Sequence, residues 1–192
     1  MLTIFRILLT PLFIVSLFSG HELGNLIALV IFIIACITDS YDGYYARKYN
    51  EETPEGKFLD PLADKVLVLS AFISFSLLGI IDYWMVGLII FRDLFVTGLR
   101  MAIEYRGLSM VTSLIAKTKT TIQYIIIIFT LIVLGLKGIH FAWTISFVQI
   151  VNEFRLIYNL TFFITLFTVL TGLTYLYDNR NAIQEFIKQD ES

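Results

Sequence analysis

The sequence predicts an all-α, polytopic membrane protein with six transmembrane helices and cytoplasmic N- and C-termini, folded as a single domain over residues 1–192. The first observation is composition: 57% of the 192 residues are hydrophobic and the mean hydropathy is +0.80. Only 16% are charged, whereas soluble domains carry about 25%. The second observation is that the apolar residues run continuously instead of alternating, which predicts helices rather than barrel strands.

Six apolar stretches predict the individual spans. They cover residues 4–18, 25–37, 66–81, 83–99, 120–136 and 156–177. Several of them are shorter than the roughly 20 residues that a helix needs to cross a bilayer. We therefore expect the second and third helices to project beyond the membrane as polar extensions.

The distribution of lysine and arginine predicts the orientation. Six spans put eleven of these residues on the side of both termini and two, Lys137 and Arg155, on the other, with Arg92 inside a span. The positive-inside rule then assigns both termini to the cytoplasm. The aromatic, semi-polar segment 137–155 is expected to lie along the outer membrane interface, where tryptophan and other aromatic residues are favoured.

Four aspartates between the second and third apolar stretches are the candidate metal ligands. Asp39 and Asp42 are three residues apart, and Asp60 and Asp64 are four apart, so on helices each pair shares one face. Carboxylates that converge near hydrocarbon repel one another unless a cation is present. Carboxylate oxygens suit Mg²⁺ or Mn²⁺, and two such ions commonly hold a phosphate under attack. The sequence thus predicts two divalent cations.

The residues between the aspartates fit a phosphate-bearing ligand. Gly43 and Ala46 leave one helix face without bulk, and the Arg47 guanidinium suits a diphosphate. Structural alternatives remain open. Asp60 before Pro61 could cap a helix, Asp42 could form a surface ion pair, and the small residues could serve helix packing.

The spacing D-x2-D-G-x2-A-R-x8-G-x3-D-x3-D, met in full by residues 39–64, resembles the signature of the CDP-alcohol phosphatidyltransferase family. The resemblance implies cleavage of CDP-diacylglycerol or a related CDP-lipid, with release of CMP. It implies that Asp39, Asp42, Asp60 and Asp64 bind the two metal ions and that Asp64 is also the general base. It further assigns the CDP-lipid site to Thr3, Gly43, Ala46, Arg47, Thr53 and Gly56, and it implies a homodimer.

Further basic residues suggest a pocket for a phosphorylated acceptor. Arg92 lies within a span, which makes it a functional candidate, and Arg100 lies two turns further along roughly the same face. Lys117 and Lys119 begin the fifth helix. As alternatives, Arg92 could simply pair with Asp93, and the lysines could contact anionic lipid heads.

Several segments also resemble phosphatidylglycerophosphate synthases, which use glycerol 3-phosphate. They are LTIFR with Thr3 and Arg6, FRDLFVTGLR, AKTKTTIQ and GLTYLY. The resemblance implies an acceptor-phosphate site formed by Arg6, Arg92, Arg100, Lys117 and Lys119. The implied partners are CDP-diacylglycerol, glycerol 3-phosphate and membrane lipids, with no nucleic acid, in a bacterial plasma membrane with the active site facing the cytoplasm. Asp93 and Ala116 depart from this pattern, since those enzymes usually have Glu and Gly there.

Other functions compatible with the residues are kept as alternatives. The acceptor could be inositol phosphate, serine or another alcohol. The aspartates could instead form the ion site of a divalent-cation transporter, although they lie at span ends and the chain contains no visible repeat. A purely structural membrane subunit gives no reason for the carboxylate spacing.

Overall fold

The computed structural model describes an all-helical chain. Its backbone is described for residues 2–21, 23–49, 54–110, 114–139 and 141–190, and its side chains for 7–21, 23–38, 65–110, 118–139 and 141–188. Within these residues there are eight α-helices and no β-strand, which confirms the all-α prediction. The helices are α1 (Leu2–Phe18), α2 (Gly24–Tyr49), α3 (Pro54–Leu77), α4 (Tyr83–Tyr105), α5 (Leu114–Leu136), α6 (Ala142–Glu153), α7 (Leu156–Asp178) and α8 (Arg180–Asp190).

Each predicted apolar stretch corresponds to one long helix. The helical backbone of α2 and α3 continues through the aspartate-bearing segments. The third stretch was predicted to reach residue 81, but α3 ends at Leu77. Gly79 has φ +70°, and the amide of Ile80 donates to the carbonyl of Phe75 at 3.0 Å. This glycine-based cap turns the chain while the sequence is still apolar.

The core is built around α1, α3 and α5. α1 packs against α2 and α3, α5 contacts α2, α3, α6 and α7, and α4 packs between α3 and α7. Phe13, Phe32 and Phe72 are fully buried in this core. The rings of Phe13 and Phe32 lie 5.9 Å apart in a tilted arrangement, a geometry that aromatic pairs favour.

α7 buries mostly polar side chains, beside Ile157 and Ile164, and its outer face is apolar. Its buried face carries Thr161, Thr165, Thr168, Thr171, Gly172 and Tyr175, whereas Phe163, Leu170 and Leu173 are at least 60% exposed. The hydroxyls of Thr161 and Thr165 donate to backbone carbonyls of their own helix at 2.8 and 2.7 Å. This arrangement is expected when hydrocarbon rather than water surrounds the helix.

Two helical segments, Thr118–Leu136 and Leu156–Asp178, are long and apolar enough to cross a membrane. Large exposed hydrophobic side chains also occur on α1 to α4 and on α6, among them Leu12, Val30, Phe91 and Trp143. Patches of this extent are rare on soluble monomers. These features indicate a membrane protein.

Candidate active site

The predicted metal ligands lie on two helices. Asp39 and Asp42 belong to α2, and Asp60 and Asp64 belong to α3, so within each pair the residues share a helix face. Their side chains lie outside the described part of the structure. Four carboxylates at these helical spacings form a donor set that suits hard divalent cations. Among the described side chains, no three His, Cys, Asp or Glu residues form a group that could hold a metal ion.

The helical register removes one structural alternative. α3 begins at Pro54, so Asp60 lies well inside the helix. An N-cap residue occupies the boundary position just before the first helical residue. The interpretation of Asp60 as a helix cap is therefore wrong.

The CDP-lipid candidates lie on the same helices as the aspartates or near them. Gly43, Ala46 and Arg47 follow Asp42 on α2, and Gly56 is in the first turn of α3. Thr3 lies at the start of α1 together with Arg6. Thr53 lies outside the described residues, as do the side chains of this group. These assignments stay predictions.

A buried cluster of ionic side chains joins α3, α4 and α5 next to Asp64. At its centre is the carboxylate of Asp93, which is completely buried. Its Oδ1 accepts hydrogen bonds from Nζ of Lys119 and from a terminal guanidinium nitrogen of Arg92, the latter at 3.2 Å. Nζ of Lys65, the residue after Asp64, lies 3.6 Å from Oδ2. We refer to Lys65, Arg92, Asp93 and Lys119 as the Asp93 cluster.

Arg92 extends from this cluster to α7. Its second terminal nitrogen donates to Thr171 Oγ1 at 3.3 Å. A Cβ atom at Gly172 would lie 2.9 Å from Cγ and 3.2 Å from Nε of Arg92. A Cβ atom at position 172 would be too close to Arg92. Glycine at this position therefore leaves room for the Arg92 side chain along α7.

The charges of the Asp93 cluster do not balance among the described side chains. Three cations surround one carboxylate, and the side chains of Lys119, Arg92 and Lys65 are only 0%, 11% and 20% exposed. Arg92 Nε and Asp93 Oδ2 are buried without hydrogen-bond partners. Buried positive charge is costly unless an anion compensates it. The cluster therefore has the chemistry of an anion site, and phosphate matches a guanidinium and an ammonium group.

The remaining acceptor-site candidates have different surroundings. The Arg92–Asp93 ion pair considered from the sequence is present, and Arg92 also reaches Thr171. Arg100 lies on α4, and its Nε donates to Glu104 at 2.8 Å with the arginine side chain 43% exposed. Lys117 is in the first turn of α5, but its side chain and that of Arg6 lie outside the described part.

Sequence reasoning missed Lys65, Thr171 and Gly172 as site residues, and it treated Asp93 as a partner of Arg92 and as a departure from the synthase pattern, not as the centre of a cluster. Lys65 counted only toward the positive charge of the cytoplasmic side, although it directly follows Asp64. Gly172 lies in the segment GLTYLY, whose resemblance to the synthases was the one available signal. The contacts of these residues come from different helices, so spacing along the chain could not reveal them.

Comparisons with known proteins place the chain in a family. The family model "CDP-alcohol phosphatidyltransferase" matches residues 1–151. A Mycobacterium tuberculosis (strain H37Rv) protein named "Probable phosphatidylglycerophosphate synthase" is 38% identical over 179 residues, which are 91% of this chain and 78% of the relative. A Rickettsia bellii protein named "CDP-diacylglycerol–glycerol-3-phosphate 3-phosphatidyltransferase" is 36% identical over 174 residues, covering 91% and 90%.

A third relative is similar over a shorter part of the chain. A Bacillus subtilis (strain 168) protein, again named "CDP-diacylglycerol–glycerol-3-phosphate 3-phosphatidyltransferase", is 40% identical over 136 residues, covering 65% of this chain and 70% of the relative. The family match extends over most of the chain and includes both aspartate pairs and the Asp93 cluster. This chain therefore belongs to the CDP-alcohol phosphatidyltransferase family and is a transferase of phospholipid biosynthesis.

Proposed function

We propose that this enzyme transfers the phosphatidyl group from CDP-diacylglycerol to glycerol 3-phosphate, forming phosphatidylglycerol phosphate and CMP. The names of the relatives supply the two substrates. The observation that favours a phosphorylated acceptor is the buried positive charge of the Asp93 cluster, which an acceptor phosphate would neutralise; the names of the relatives favour glycerol 3-phosphate over inositol phosphate. A serine or choline-like acceptor has no phosphate to do this. Membership in a transferase family also argues against the cation-transporter alternative.

The aspartates are proposed to bind two divalent cations, Mg²⁺ or Mn²⁺. Asp39, Asp42, Asp60 and Asp64 would hold them, and the bound ions would neutralise charge on the diphosphate. Gly43, Ala46 and Arg47 would bind the cytidine and diphosphate, together with Thr3, Thr53 and Gly56.

The chemical step uses Asp64 as the base. The free primary hydroxyl of glycerol 3-phosphate loses its proton to the Asp64 carboxylate, and its oxygen attacks the phosphorus that carries diacylglycerol. The bond from this phosphorus to the bridging oxygen breaks, and that oxygen leaves with the electron pair on CMP. Such a reaction depends mainly on positioning and charge neutralisation.

The Asp93 cluster is proposed to bind the acceptor phosphate through Arg92 and Lys119. Arg6, Arg100 and Lys117 would add positive charge at the entrance. Lys65 connects this site to the metal site, because its ammonium group lies near Asp93 while its backbone follows Asp64. The acceptor would therefore be anchored by its phosphate at one end, and its hydroxyl at the other end would be activated by Asp64.

The proposed setting is a bacterial inner membrane, crossed by α1 to α5 and α7. The chain would fold as a single domain. Both termini and the active site would face the cytoplasm, and α6 would lie along the outer interface. The surplus of lysine and arginine at the aspartate-bearing side supports this orientation. A homodimer is proposed from family resemblance.

The test is CMP release from CDP-diacylglycerol by the purified protein with Mg²⁺. Glycerol 3-phosphate, inositol phosphate, serine and buffer alone are compared as acceptors, with EDTA and the Asp64→Asn variant as controls. We expect release only with glycerol 3-phosphate, and its loss in both controls. Release with another acceptor would overturn the substrate assignment, and undiminished release in EDTA would overturn the two-metal chemistry.

A further inference from the structure

Gln123 on α5 is completely buried, yet neither of its amide atoms has a hydrogen-bond partner in the described part of the structure. Most buried polar side chains are hydrogen-bonded. An unpartnered amide in the interior loses its contacts with water and gains nothing in return. The proposed binding of the acceptor phosphate does not use this residue, so its position needs another explanation.

Gln123 lies next to the Asp93 cluster along the chain. It follows Lys119 by four residues, so the two share one face of α5. α5 packs against α7, where a second buried group, the hydroxyl of Thr168, also lacks a partner. Thr168 is one turn from Thr171, which contacts Arg92. Unpartnered polar groups thus lie one turn from Lys119 on α5 and one turn from Thr171, the contact of Arg92, on α7.

The chemistry of the amide selects the group that it can bind. Oε1 of glutamine only accepts and Nε2 only donates. A fully ionised phosphate offers acceptors alone and would leave Oε1 without a partner. A hydroxyl both donates and accepts, so it can satisfy either atom. The hydroxyl of Thr168, on the helix that packs against α5, could provide the complementary hydrogen bond.

We infer that Gln123, together with Thr168, binds the middle hydroxyl of the acceptor, the one that does not react. This inference rests on the proposed function, since it assumes that the acceptor phosphate occupies the Asp93 cluster. Gln123 then selects a phosphorylated polyol over a simple phosphorylated alcohol. An acceptor without this hydroxyl would bind more weakly, because it leaves both buried groups unsatisfied.

The enzyme without acceptor provides an independent readout. Replacing an unpartnered buried amide by an apolar side chain of similar length removes a destabilising group. Gln123→Met should therefore retain or increase the melting temperature of the enzyme while it weakens acceptor binding. A residue with a purely structural role would not combine these two effects.

The experiment compares two acceptors, glycerol 3-phosphate and 3-hydroxypropyl phosphate, which lacks the middle hydroxyl. The wild type, Gln123→Met and Gln123→Leu are assayed for CMP release. Ser76→Ala is the control, because the Ser76 hydroxyl is also buried without a partner but lies near the opposite end of α3. We expect both Gln123 variants to raise the KM for glycerol 3-phosphate about tenfold. The KM for 3-hydroxypropyl phosphate should not change, and Ser76→Ala should affect neither value.

Two results would overturn the inference. One is an unchanged KM for glycerol 3-phosphate in both Gln123 variants, as expected if the amide only contacts buried water. The other is an equal rise for both acceptors, which would assign Gln123 to the phosphate. A wild-type enzyme inactive with glycerol 3-phosphate would instead overturn the proposed function, and the hydroxyl assignment with it.

Discussion

The two ends of α5 carry lysines in opposite surroundings. Lys119, near the start of the helix, is completely buried and contacts Asp93. Lys137, which follows the last residue of α5, is exposed and lines two open cavities of about 470 and 420 Å³. Arg155 lines the larger cavity and is also exposed. The same type of charge is thus sequestered at one end and solvated at the other.

The carboxylates that lie near the two ends of α5, Asp93 and Asp82, differ in the same way. Asp82 accepts hydrogen bonds from Trp84 Nε1 at 3.1 Å and from the Tyr158 hydroxyl at 3.0 Å, so its contacts are neutral donors at the surface. Asp93 contacts three cations in the interior. Exposed charges gain little from pairing because water already stabilises them. Buried charges need a partner, so the difference supports the proposal that the Asp93 end binds an anion.

The largest expected effect comes from removing the central carboxylate. Asp93→Ala leaves Lys119, Arg92 and Lys65 without their shared anion, and loss of one partner from a buried pair costs about 3–5 kcal/mol. We expect a much lower melting temperature in detergent. The matched control is Glu104→Ala, which breaks the exposed pair with Arg100 and should cost less than about 1 kcal/mol. Equal losses would contradict the distinction between buried and exposed pairs.

A smaller effect is expected at Gly172. Gly172→Ala adds a methyl group at a position only 2.9 Å from Cγ of Arg92, so Arg92 must move from Thr171. Loss of one such contact corresponds to roughly 1 kcal/mol, and the KM for glycerol 3-phosphate should rise about fivefold. The control is Gly98→Ala on α4, where the added methyl group meets nothing within 4 Å. An unchanged KM in Gly172→Ala would show that the path of Arg92 does not matter for the acceptor.

Much of the fold could be predicted because apolar runs determine where long helices form. Where the observed helices differ from the predicted ones, local backbone conformation or the lack of an apolar run explains the difference. Gly79 ends α3 inside an apolar run, and α8 has no apolar run to reveal it. The Arg106 guanidinium lies over the ring of Phe186 on α8 at 4.5 Å, a contact between residues far apart in the chain.

The candidate site was predictable where helical spacing or a known signature marked its residues, and Arg92 and Lys119, expected from the sequence in one pocket, do meet at Asp93. The four aspartates could be found because their spacing matches helical periodicity and a known signature. The Asp93 cluster combines residues of α3, α4 and α5, and Gly172 belongs to α7. Whether Lys119 is a solvated surface charge or a buried one depends on packing between these helices, which spacing does not determine.

The most direct test of this account compares acceptor binding at the two ends of α5. The KM for glycerol 3-phosphate is measured for Lys119→Met and Lys137→Met, each of which replaces an ammonium group with an apolar side chain of similar length. Lys119→Met should raise this KM about 10- to 100-fold, because a hydrogen bond to a charged group contributes roughly 1.5–3 kcal/mol. Lys137→Met should leave it unchanged. A wild-type KM in Lys119→Met, or an equal rise in both variants, would contradict the claim that the Asp93 cluster binds the acceptor phosphate.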